Sequence, residues 1–144
     1  MKKELSTLLL TIAFGLTLTH CDQESTISPD NLPSEIDSYI STHFPENSVL
    51  QAKKDKEGLK STYEIRLSDN LYLEFDSKMN ITDIDGNAKL PDSVIPKKIL
   101  QYVTTNYPNN FITDWELDDR NQQIQLDSGL ELEFNMNGDF LRID

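Results

Sequence analysis

The sequence predicts an α+β fold of two tandem repeats, each one helix packed on a four-stranded antiparallel sheet, with the two sheets continuous. Three observations carry this. The stretch "SDNLYLEFDSKMNITDID" at 68–85 returns as "DSGLELEFNMNGDFLRID" at 127–144. A proline-bounded segment, "LPSEIDSYISTHFPEN" at 32–47, likewise returns as "IPKKILQYVTTNYPNN" at 95–110. Within each copy the apolar period changes from that of a helix to that of a strand.

In the first copy Ile36, Tyr39, Ile40 and Phe44 recur at the three- and four-residue steps of an amphipathic helix. Pro33 suits its first turn and Pro45 ends it. Ile95, Ile99, Tyr102 and Val103 repeat the pattern before Pro108. The segments "SVLQAKK" and "FITDWEL" give a strand after each helix. Then Tyr63, Ile65 and Leu67 alternate with Glu64 and Arg66, and Leu71, Leu73 and Phe75 with Tyr72, Glu74 and Asp76. The second copy offers Ile124 and Leu126, then Leu130, Leu132 and Phe134 interleaved with Glu131 and Glu133. One face of these strands is apolar and the other wet. "SDN", "DSG" and "NMNGD" supply the tight turns. A single copy of about 55 residues buries too little to be comfortable alone, so the pair should share an interface. We place the repeats at 31–87 and 88–144, joined by the short linker "GNAKLPDSVIP".

Ahead of them, Lys2 and Lys3 precede the apolar run "LLLTIAFGLTL" at 8–18, which is far shorter than the roughly 20 residues of a membrane-spanning helix. Residues 1–20 read as a signal peptide. The run leads into "LTHC", which resembles the lipobox of bacterial lipoproteins, although His20 is larger than the residue expected there. That resemblance implies diacylglycerol on Cys21 and a location in the cell envelope, as an outer-membrane lipoprotein facing the periplasm or the surface. Membrane contact is then through the lipid alone. The polar stretch at 21–30 reads as a flexible tether. A single cysteine allows no internal disulfide.

Charge narrows the partners. Among 144 residues, 25 are Asp or Glu against 13 Lys or Arg, a formal net charge of −12. Such a body repels phosphate backbones, which excludes nucleic acid as a natural ligand.

Catalytic chemistry finds little footing, and the reading is of a non-enzyme without cofactor or metal. Beyond the leader, His43 is the one histidine, placed at a helix end with Asn106 in its place in the other copy. No glycine-rich phosphate loop, HExxH motif or cysteine cluster is present. "DIDGN" at 83–87 has the alternating acids of a calcium loop, but Ala88 and Val94 occupy the places that require glycine and glutamate. Glu131 and Glu133 alternate with leucines on a strand, the pattern of a solvated sheet face rather than of a buried acid/base pair.

The "LPxxIxxYIxxxFP" helix, the "LxLEFD" hairpin and the short strand ending in Ile-Asp together resemble the PepSY-like, beta-lactamase-inhibitor-like domains of small secreted proteins and lipoproteins of Gram-negative bacteria. The resemblance covers nearly all of residues 31–144. It implies an architecture similar to that of the secreted inhibitor that grips beta-lactamases with the concave face of its sheet. None of that inhibitor's contact residues can be matched position by position. The first copy departs from the family's glycine turns, with Asn70 in the place of Gly129 and Met79 in that of Gly138.

The expected function is therefore binding of a partner, a protein, on the face of the sheet that the helices leave bare. Arg66, Tyr72, Glu74, Glu131 and Glu133 fall on that face by alternation. Trp115, which stands where the first copy has Ala52, either fills the core or offers an anchor at the interface. A structural or stress-related envelope lipoprotein with no specific ligand is the alternative.

Overall fold

The computed structural model describes residues 24–57 and 60–144. The segment read as a signal peptide, and Cys21, lie outside the described residues. Among the described residues nine strands form one antiparallel sheet in which the spatial order is the chain order. They are β1 (Ser25–Ile27), β2 (Val49–Glu57), β3 (Lys60–Leu67), β4 (Leu71–Phe75), β5 (Ile81–Asp85), β6 (Ile112–Leu117), β7 (Asn121–Leu126), β8 (Glu131–Asn135) and β9 (Phe140–Ile143). Helix α1 (Ser34–His43) precedes β2 and helix α2 (Lys97–Asn106) precedes β6. A short 3-10 turn leads toward each helix.

Each helix starts on its proline and stops at an aromatic. The carbonyls of Pro33 and Pro96 accept from the amides of Asp37 and Leu100, both at 3.0 Å. Proline therefore stands one place before the first helical residue, where its missing N–H costs nothing. At the other end Phe44 and Tyr107 donate to Ile40 and Val103, and Pro45 and Pro108 forbid another turn.

A single row of apolar side chains crosses the sheet. Ile27, Ala52, Ile65, Leu73, Ile84, Trp115, Ile124, Leu132 and Ile143 face one another in turn from β1 to β9. Both helices lay Ile36, Ile40, Ile99 and Val103 into the core built on that row. Tyr39 meets Phe75 edge-on at 5.4 Å, and Tyr102 meets Phe134 in the same way at 5.4 Å. The two repeats thus share one core under one layer of helices.

Two expectations change. The stretch read as tether yields β1, because Ile27 lies opposite Ala52 and packs on the core while Glu24 bonds Lys53 at 2.7 Å. Of the two turns lacking glycine, that at Met79 keeps the geometry of its counterpart, whereas that at Asn70 also places Asp69 at a φ of 60°. Asn70 and Met79 adopt φ of 56° and 65°, close to the 79° and 77° of Gly129 and Gly138. Asn tolerates the left-handed region, whereas Met79 does so at a cost of about 1 kcal/mol. Asp76 compensates by accepting the amides of Lys78 and Asn80, as Asn135 accepts those of Asn137 and Asp139.

An acidic groove on the open face of the sheet

Residues on the other parity of the strands point away from the helices, and strand pairing sorts them into two rows. In the first, Glu64, Glu74, Asp83 and Glu116 stand side by side from β3 to β6. In the second, Tyr72, Asp85 and Asp114 do the same, followed by Gln125 and Glu131. Cations cap both ends. Lys53 and Arg66 close the β2–β3 side, and Arg142 on β9 closes the other.

The acids meet where the repeats meet, at the β5–β6 pair. A groove of about 370 Å³ is lined there by Asp83, Asp85, Asp114, Glu116, Gln123 and Glu131. A second groove of about 340 Å³ runs on through Glu74, Tyr72, Arg66 and Lys53, sharing Asp83 and Asp85. Burial against these neighbours pushes the Asp83 carboxyl up to about 6, with Glu116, Glu74, Asp85 and Asp114 adding repulsion. Glu74 is raised by burial and then by Glu64 and Glu116. Asp114 is also raised, by burial and by the Asp85 carboxylate beside it, although the Thr113 hydroxyl donates to it. Like charges directly opposite on neighbouring strands destabilise a sheet, so the surface carries an unfavourable interaction that cationic groups would relieve.

The expected residues separate. Arg66, Tyr72, Glu74 and Glu131 do lie on this face. Tyr72 is 45% exposed, with the Arg66 guanidinium 5.8 Å from its ring centre. Glu131 is held by the side-chain amides of Gln123 at 3.0 Å and Gln125 at 3.3 Å. Glu133 points the same way but is only 7% exposed. Asn121 donates to its Oε1, and Arg142 Nη2 lies 2.6 Å from Oε2 in an ion pair without hydrogen-bond alignment. It is therefore a buried anchor for Arg142, not an exposed acid.

Trp115 does not belong to the face. At 6% exposure it sits in the apolar row between Ile84 and Ile124, and its Nε1 donates to Gln122 Oε1 at 3.2 Å. Of its two expected roles the core one holds, because on β6 it alternates with Asp114 and Glu116 and stands opposite Ile84 and Ile124.

Sequence reasoning missed Asp83, Asp85, Asp114 and Glu116. The signal was there in "DID" and "DWE", acids flanking an apolar residue in both strands. His43 lies on the helical side, where its Nδ1 is 2.9 Å from Ser93 Oγ in the linker, a tie between repeats. Among the described residues no three His, Cys, Asp or Glu side chains are placed to hold a metal ion.

A family model described as "Putative beta-lactamase-inhibitor-like, PepSY-like" matches the chain twice, over residues 18–83 and 84–142. No curated protein matches it. Three solved structures from Bacteroides species are similar over most of the chain. A "putative periplasmic protein" of Bacteroides vulgatus is 31% identical with a TM-score of 0.80, over 86% of this chain and 98% of the other. A "putative calcium-regulated periplasmic protein" of Bacteroides thetaiotaomicron is 30% identical with a TM-score of 0.79, over 84% and 96%. A further periplasmic protein of unknown function from Bacteroides vulgatus is 28% identical with a TM-score of 0.79, over 85% and 99%.

Proposed function

This chain belongs to the PepSY-like, beta-lactamase-inhibitor-like family, and from that premise we propose that it is an exported, non-enzymatic binding protein. Its ligand is a basic protein surface, taken up on the open face of the sheet. The lipid on Cys21 holds the protein at the envelope. Its relatives' descriptions as periplasmic proteins support export, as does the leader sequence.

One observation carries the reading. Side chains from four neighbouring strands crowd carboxylates across the junction of the repeats, with Tyr72 and Arg66 at the border. Lys and Arg side chains from a partner would neutralise Asp83, Asp85, Asp114 and Glu116, while Tyr72 gives an amphipathic contact at the rim.

The test is affinity capture from envelope extract at two salt concentrations. Asp85→Lys with Glu116→Lys, both exposed, should abolish capture of the partner that the native protein retains. Lysines introduced at Ser38 and Gln101 on the helices should leave capture intact. Retention by the double variant would remove the open face as the site, and retention unaffected by high salt would remove the charge argument.

A further inference from the structure

Among the described residues strand β9 ends the sheet, whereas its counterpart β5 does not. The two are one element in successive repeats. Each joins the preceding strand through a register shift, and Leu132 opposite Ile143 repeats Leu73 opposite Ile84. Beyond Ile84 lies Trp115 of β6, and Ile84 is 0% exposed. Beyond Ile143 no described strand lies, and Ile143 is 52% exposed, with Leu141 at 47%. The amide of Asp144 donates to the Glu131 carbonyl at 3.1 Å. By the alternation of an antiparallel ladder, the N–H and C=O of Ile143 then point to the bare side. This edge is both apolar and short of backbone partners.

The opposite end of the sheet shows the same kind of edge filled. β2 is the counterpart of β6, and β1 lies on it with Ile27 opposite Ala52, as Ile84 lies opposite Trp115. Ala52 and Trp115 are matching positions of the two repeats. A three-residue segment therefore occupies on β2, in the same register, the place that repeat 1 occupies on β6. So short a strand is enough to dress an edge of this sheet.

Charge indicates what would dress β9. On β5 Asp83 faces Glu116 of the next strand, two like charges. On β9 the matching place is Arg142, whose side chain is 63% exposed while it holds Glu133 at 2.6 Å and Asp144 at 2.8 Å. We propose that the free edge of β9 is a strand-addition site for an extended segment of a partner protein. The segment runs antiparallel to β9, with a bulky apolar residue opposite Ile143 and a carboxylate opposite Arg142. A head-to-tail second copy fits less well: β1 already covers its β2, and the register would set Lys53 against Arg142. The edge is separate from the acidic groove.

The protein's own β6 supplies a probe. A fluorescent peptide, "FITDWELD" from 111–118, would place its tryptophan opposite Ile143 and its glutamate opposite Arg142. Fluorescence polarisation with the full mature protein should show saturable binding, and hydrogen exchange should show the Ile143 amide slowed in the complex. Ile143→Asp should weaken binding by about tenfold or more, as should replacing the peptide's tryptophan by serine, which leaves the protein untouched. Arg142→Glu should weaken it and favour the peptide with arginine in place of that glutamate. Asp85→Lys should leave the complex unchanged. Absence of saturation overturns the proposal, as does binding indifferent to Ile143→Asp and to the serine peptide. Self-association of the native protein, abolished by Ile143→Asp, would reassign the edge to a second copy and also overturn it.

Discussion

Ile84 of β5 stands directly opposite Trp115 of β6, at 0% and 6% exposure, and this pair joins the cores of the two repeats.

Removing the larger member should therefore be costly. Trp115→Ala leaves a cavity under both repeats and strands Gln122, so we expect a loss of about 3–5 kcal/mol. Urea unfolding followed by circular dichroism checks it. Both repeats should still unfold in one transition, with the midpoint shifted for the whole chain. Loss confined to half of the signal would show that the repeats fold separately.

Acidity gives a second expectation. The Asp83 carboxyl sits at about 6 in the folded protein, above its ordinary 3.8, so between these values the folded state holds the extra proton. Stability from this group is then greatest at low pH and is lost as pH rises through that window. Asp83→Asn removes the penalty. With the screening of a half-exposed group allowed for, the variant should be more stable by about 1 kcal/mol at pH 7, or about 3 °C in Tm. The gain should vanish near pH 4. Equal Tm differences at both pH values would show that repulsion on this face does not act on stability.

Much of this architecture was legible in the sequence, for a physical reason. Period-two alternation in "YEIRL" and "LYLEF" states which side chains share a face, and the repetition states that the pattern recurs. What was not legible is lateral. That Asp83 lies beside Glu116 depends on β5 pairing with β6 across the linker, and parity within one strand does not say which strand is its neighbour. Glu133 reads as exposed for the same reason, since its cover comes from Arg142 on another strand. The three-residue β1 was hidden because "STI" is too short to show a period.

The leader carries a third expectation. Cys21→Ser should block lipid addition, leaving an uncleaved or soluble protein that moves from the detergent to the aqueous phase on partitioning. Normal processing with membrane association retained would contradict the anchor.

Binding on the open face is the central claim, and site-specific photocrosslinking in intact envelopes tests it most directly. A benzophenone side chain in place of Tyr72, 45% exposed beside the acidic groove, reports contact without disturbing the core. Placed at Ser38 on α1, the same group reports the covered side. The account predicts a discrete adduct from position 72 that disappears when Asp85→Lys and Glu116→Lys are added, and no such adduct from position 38. An adduct from position 38 alone, or one at 72 that survives the charge reversal, would contradict it.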